Sequence, residues 1–144
     1  MPLLDKSAKF VTNRLPKVIN PAAHAVIDYA MAASFLAMGA FFWKRNKRAA
    51  ISSLICGGAE MVNALMTDYP GGVAREISFE THGAIDFGLA GMVASMPDTL
   101  RFGDERETTF FRLQGLALAT VSGLTDFTGT GKARQLQTLD ERAA

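Results

Sequence analysis

A single cysteine, Cys56, stands in a chain of 144 residues. That excludes an internal disulfide and any multi-cysteine metal site, and its apolar neighbours mark it as core filler. An excess of charge of either sign is also missing. Fifteen Lys and Arg against fourteen Asp and Glu leave a net charge of +1, so no nucleic-acid partner is expected. No nucleophile elbow, phosphate-binding glycine loop, zinc-protease motif or paired catalytic carboxylate occurs, and the chain is not expected to be an enzyme. A C-x-x-C-H haem attachment is absent, which leaves only non-covalent haem open. Very long apolar runs are lacking too: charge-free stretches reach 11 to 15 residues, short of the ~18 that mark a membrane helix outright.

What is present is four apolar segments at about 22–43, 49–68, 81–100 and 108–127, rich in Ala, Leu, Met, Phe and Gly. Each has the length that a hydrocarbon core of ~30 Å requires. After Asp28 the first reads YAMAASFLAMGAFFW, with no charge and no polar stripe. A helix apolar all round needs lipid or the depths of a large core, and 144 residues cannot bury four of them. The expected fold is therefore all-α: an integral membrane four-helix bundle.

A gapless repeat supports this reading. HAVIDYAMAA at 24–33 matches HGAIDFGLAG at 82–91, an offset of 58 residues, so that His24, Ile27, Asp28 and Ala32 recur as His82, Ile85, Asp86 and Ala90. At the same offset TDYPG (67–71) matches TDFTG (125–129), and Gly57 and Ala59 match Gly115 and Ala117. The unit is a helix hairpin used twice, at about 21–72 and 79–130 within a transmembrane domain of 21–130. Two helices per unit point both units the same way, with a pseudo-two-fold axis along the membrane normal. Because the first segment is the repeat partner of the third, it is expected to be retained and not cleaved as a signal peptide.

Residues 1–20 mix apolar side chains with Lys6, Lys9, Arg14 and Lys17. They suit a short interfacial helix on anionic headgroups or a basic tail; 131–144 reads as a polar tail. Cations divide almost evenly, eight on the face of the N-terminus and seven on the other, with four at each end of the first helix, so a cytoplasmic N-terminus in a bacterial cytoplasmic membrane is favoured only slightly. DERE at 104–107 reads as a solvated loop. Small residues four apart, Ala33/Ala37, Ala84/Gly88, Ala90/Ala94 and Gly91/Ser95, permit close helix approach within the chain or against a partner helix.

The polar cluster is the one place for chemistry. His24/Asp28 and His82/Asp86 stand at i and i+4 on one helix face, and intramembrane ionisable groups usually point inward and pair. Three readings compete. In the first, each aspartate orients its histidine, which bonds a backbone carbonyl of the neighbouring unit and clasps the helices. In the second, His24 and His82 bind a cofactor, as axial ligands of a haem b or as ligands of a divalent metal, with Asp28 and Asp86 supporting them. In the third, an Asp/His chain, extended by Glu60, conducts protons or ions; Glu60 has Leu118 as its repeat counterpart. Thr67, Asp68 and Gly71, with Thr125, Asp126 and Gly129, read as a structural helix stop in which a turn bond or basic partner offsets the carboxylate. Tyr69 would then lie at headgroup depth.

H-G-x-I-D-[FY] before a small-residue helix, with TDYPGG (67–72) leading into ISFETHG (77–83), resembles uncharacterised small bacterial membrane proteins related to the SPW-repeat family. The likeness covers about residues 20–130. The Ser-Pro-Trp signature itself is absent, nearest at Ser95, Met96 and Pro97, and Gly39 replaces the proline in the first unit. The resemblance implies a duplicated four-helix membrane protein and carries no activity. The function expected is a small structural or accessory membrane subunit that joins a larger complex or self-associates.

Overall fold

The structure, a computed structural model, describes residues 15–128. The cationic stretch 1–14, Gly129 and the tail 131–144 lie outside the described residues. Four helices carry the chain: α1 (Pro21–Phe42), α2 (Lys47–Met66), α3 (Phe79–Thr99) and α4 (Thr108–Leu124). Each of the first three starts at a side-chain cap that satisfies an otherwise orphan amide. Asn20 accepts from the Ala23 amide at 2.9 Å, Asn46 from Ala49 at 3.1 Å and Ser78 from Thr81 at 3.1 Å. Pro21 opens α1, where a missing N–H costs nothing. Pro97 stands inside α3, which stops two residues later at Thr99.

The helices form two antiparallel pairs, α1 with α2 and α3 with α4. Small residues set the approach. A Cβ on Gly57 would come within 3.0 Å of the Phe35 Cβ, and one on Gly115 within 2.8 Å of the Ala94 Cβ. Within the small-residue spacings, Ala90 and Ala94 line this contact, whereas Gly88 and Gly91 meet nothing within 4 Å. The Ser53 hydroxyl donates to the Phe35 carbonyl across the first pair at 2.7 Å. Phe35, Phe42, Val93, Phe102, Phe111 and Leu118 fill the core between the pairs.

The all-α expectation needs one amendment. α2 and α4 end at Met66 and Leu124, short of the aspartates, because Thr67 and Thr125 turn to extended backbone (φ −81°, ψ 138° and φ −86°, ψ 137°). Thr67 and Asp68 (β1) pair in parallel with Ile77 and Ser78 (β2), and Thr125 makes a single parallel bridge to Ile19. Each threonine thus joins the strand that leads into the other pair's first helix. Residues 58 apart, Ile19/Ile77 and Thr67/Thr125, make the same bond.

α1 and α2 are long and apolar enough to cross a membrane. α4 has 17 residues, and α3 carries Glu80, Asp86 and Asp98. At the end away from the histidines Asp104, Glu105 and Arg106 of the DERE run are exposed as expected, but Asn46 donates to Glu105 at 2.6 Å and Glu107 is buried beside Arg45. Arg48 adds a bond to the Arg101 carbonyl at 2.8 Å. The loop thereby fastens the two pairs to each other.

Candidate functional site

His24 and His82 are each the fourth residue of their helices, α1 and α3, and Asp28 and Asp86 follow one turn later. All four are essentially fully buried. Where the helix pairs meet at this end, the two His/Asp pairs come together in one cluster. The Nε2 atoms of the histidines stand 3.0 Å apart. His24 Nε2 lies 3.3 Å from Asp28 Oδ1 and 3.1 Å from Asp86 Oδ2; His82 Nε2 lies 3.2 Å from Asp28 Oδ2 and 2.9 Å from Asp86 Oδ2.

The other ring nitrogens fix the tautomers. His82 Nδ1 is 2.7 Å from Thr67 Oγ1, and His24 Nδ1 is 2.8 Å from Thr125 Oγ1. Each threonine hydroxyl already donates its one proton to the carbonyl four residues back, Thr67 to Asn63 at 2.6 Å and Thr125 to Val121 at 2.7 Å. It can therefore only accept from the histidine. Both Nδ1 atoms therefore carry a hydrogen, and the Nε2 atom of each ring faces the carboxylates at the cluster's centre.

This corrects the expected clasp. The histidines bond threonine hydroxyls, not backbone carbonyls, and each hydroxyl comes from the other helix pair. Thr67 and Thr125, read from the sequence as helix stops, are the residues that orient the rings. A signal was present in the sequence, since they recur at the same offset as the histidines, but which group they serve depends on how the pairs pack.

The carboxylates are held unequally. Asp28 Oδ2 accepts from the Tyr69 hydroxyl at 2.9 Å, and Asp86 Oδ1 accepts from the Asn63 amide at 2.8 Å. Both donors belong to the first unit; their counterparts in the second are Phe127 and Val121. Tyr69 is 2% exposed, so it is a buried donor and not a headgroup residue. Burial and the Asp28 carboxylate push its phenol above the ordinary range, and it stays protonated to donate. Neither Tyr69 nor Asn63 was singled out in sequence for the cluster.

Three aromatic rings close the end of the site. Phe79 and Phe127 stand edge-on to His24 at 5.2 and 5.3 Å between centroids, and Tyr69 lies 5.3 Å from His82. Phe127 reaches its place because residue 83 is glycine; a Cβ there would meet the ring at 2.6 Å. Gly71 takes φ 113°, a left-handed conformation suited to glycine, and its carbonyl accepts from the Tyr29 hydroxyl at 2.7 Å. Asp126 Oδ1 receives the Thr128 amide at 3.0 Å and hydroxyl at 2.6 Å, a local turn. Lys17 caps the Gly123 carbonyl at 2.7 Å; desolvation lowers its ammonium pKa, and Asp126 opposes the shift.

The arrangement can hold a small positive species. One ligand atom from each of His24, Asp28, His82 and Asp86 can be chosen so that all lie within 4.8 Å of one another. A tetrahedral ion with bonds of ~2.05 Å has ligands about 3.3 Å apart, close to the separations seen. A haem bound by both histidines would lie between the two Nε2 atoms. At 3.0 Å, with both carboxylates in the same space, they leave no slot for a porphyrin, and that alternative does not fit. Compared with protein-family models, curated proteins and solved structures, the chain matches none.

Proposed function

We propose that this chain is a small integral membrane protein whose two helix hairpins are tied together by one divalent transition-metal ion held by His24, Asp28, His82 and Asp86. The observation that carries the reading is the convergence of two imidazole Nε2 atoms and two carboxylates on one buried point. Without a metal, such a centre buries two carboxylates that only the histidine protons can offset, and burying an ion costs several kcal/mol. A divalent cation neutralises both carboxylates and takes both Nε2 lone pairs. Nitrogen and oxygen donors at these separations suit zinc or a neighbour in the series. The threonine bonds to Nδ1 supply the outer contacts that orient metal-binding imidazoles.

The role is structural, not catalytic. All four ligands are protein side chains, and the aromatic lid leaves no open coordination position for a substrate water. Membrane residence is part of the proposal. Val26, Phe41, Ile51, Ile55, Val62, Leu113 and Leu116 all point outward from α1, α2 and α4, the side chains that lipid would cover. The pseudo-two-fold axis along the membrane normal and kinship with the SPW-repeat-related proteins belong to the same proposal. So does an accessory role in a larger complex or an oligomer.

Two measurements test it. Protein purified from its membrane is expected to contain one zinc-class metal per chain and to melt at a lower temperature after chelation. Metal-free protein with an unchanged melting point in chelator would reduce the cluster to a proton-bonded clasp. Alkaline carbonate washing is expected to leave the chain in the pellet; release to the supernatant would overturn membrane residence.

A further inference from the structure

Among the described residues only four buried side-chain polar atoms have no hydrogen-bond partner: both carboxylate oxygens of Glu60, Oδ1 of Asn63 and the Ser122 hydroxyl. Three of the four are acceptors on α2, at positions i and i+3 of one helix face. Glu60 is 1% exposed and Asn63 6%. Asn63 cannot relieve its oxygen by turning over, because its Nδ2 donates to Asp86 Oδ1 at 2.8 Å and the flipped amide would set oxygen against carboxylate.

From these atoms we infer a second, oxygen-only cation position, formed by Glu60 and Asn63, that takes a small alkali ion beside the divalent centre. It rests on the divalent reading above for its charge balance. The Asn63 amide donates to Asp86 Oδ1 at 2.8 Å, so the two positions are neighbours. A divalent ion cancels the Asp28 and Asp86 charges, and Glu60, once its proton is displaced by a cation, adds one further buried negative charge. A monovalent cation balances it. Carboxylate and amide oxygens, with no nitrogen or sulfur donor among them, select a hard ion of the sodium class.

The repeat shows that this place can be apolar. The counterparts of Glu60 and Asn63 are Leu118 and Val121, and Leu118 is buried in the core. A buried carboxylate that only filled space would be a costly replacement for leucine. Glu60 also stands seven residues before Thr67, about 10 Å further along the helix axis. The alkali position therefore lies deeper in the bundle than the lidded metal centre.

The test uses full-length protein in detergent, with radioactive zinc and radioactive sodium as separate probes, on wild type, Glu60→Leu and Glu60→Gln. Wild type is expected to bind both ions saturably. Both variants should keep zinc at wild-type stoichiometry, which reports an intact fold, and lose sodium. Sodium binding that survives Glu60→Leu would overturn the proposal. So would zinc-loaded wild type that binds no sodium, which would place a proton on Glu60 instead. Zinc that fails to bind wild type sinks the divalent reading alone, and sodium binding that disappears with Glu60 would still uphold the alkali position.

Discussion

The two repeat units agree around the histidines and disagree around the carboxylates. His24 with Thr125 and His82 with Thr67 form the same bond at nearly the same length, 2.8 and 2.7 Å, and both threonines use the same carbonyl four residues back. Asp28 and Asp86 have no such matched support: Tyr69, Asn63 and the buried Glu60 all come from the first unit, opposite Phe127, Val121 and Leu118 in the second. Orientation of the rings needs one hydroxyl per ring, so both copies keep it. Hydrogen bonds to the carboxylates need come from one side only, and the second copy fills that space with apolar packing. The difference separates what each histidine requires from what the cluster requires once.

Substitutions can break or sharpen that contrast. The largest effect belongs to His82→Ala, which leaves two buried carboxylates and one imidazole uncompensated. A loss of about 3–5 kcal/mol is expected from disrupting a buried ionic group, together with all bound metal, read by thermal melting in detergent and metal analysis. A mutant with wild-type stability would remove the cluster from any role in joining the hairpins.

Next comes Tyr69→Phe, which gives the first unit the residue the second already has. It removes a hydrogen bond to a charged acceptor, and about 1.5–3 kcal/mol of stability should go with it. An unchanged melting point would mean that Asp28 finds its support elsewhere.

Thr67→Val and Thr125→Val should behave alike, each weakening metal affinity by about 10- to 100-fold, as loss of an outer-shell partner does. Unequal losses, measured by competition with a chelator of known affinity, would refute the equivalence of the two histidine environments. The smallest effect is expected at the far end. Asn46→Ala removes a helix cap and the bond to Glu105, costs ~1 kcal/mol, and should leave metal content untouched.

Much of this was legible in the sequence, and the reason is locality. Four helices and two H-x-x-x-D pairs follow from spacings of a few residues, and the offset of 58 aligns the copies. The misreadings all concern contacts between distant parts of the chain. Thr67 and Thr125 have the look of helix stops because their local backbone does stop the helix; their hydroxyls find histidines 15 and 101 residues away. Tyr69 follows a helix end, where water or headgroups are the ordinary surroundings, yet the lid of Phe79 and Phe127 encloses it. DERE is solvated at Asp104, Glu105 and Arg106 as its composition suggests, but the burial of Glu107 depends on Arg45 from the other hairpin.

The exchange of threonines between hairpins also imposes an order in time. When α1 and α2 leave the ribosome, Thr67 is already made but His82 is not, and His24 must wait for Thr125, near the end of the described fold. Until then the first hairpin holds an imidazole without its orienting partner and an aspartate without its facing histidine. The centre therefore closes only on a chain synthesised through Thr125. A chain truncated before that residue would keep His24 and Asp28 buried without the partners that complete the cluster.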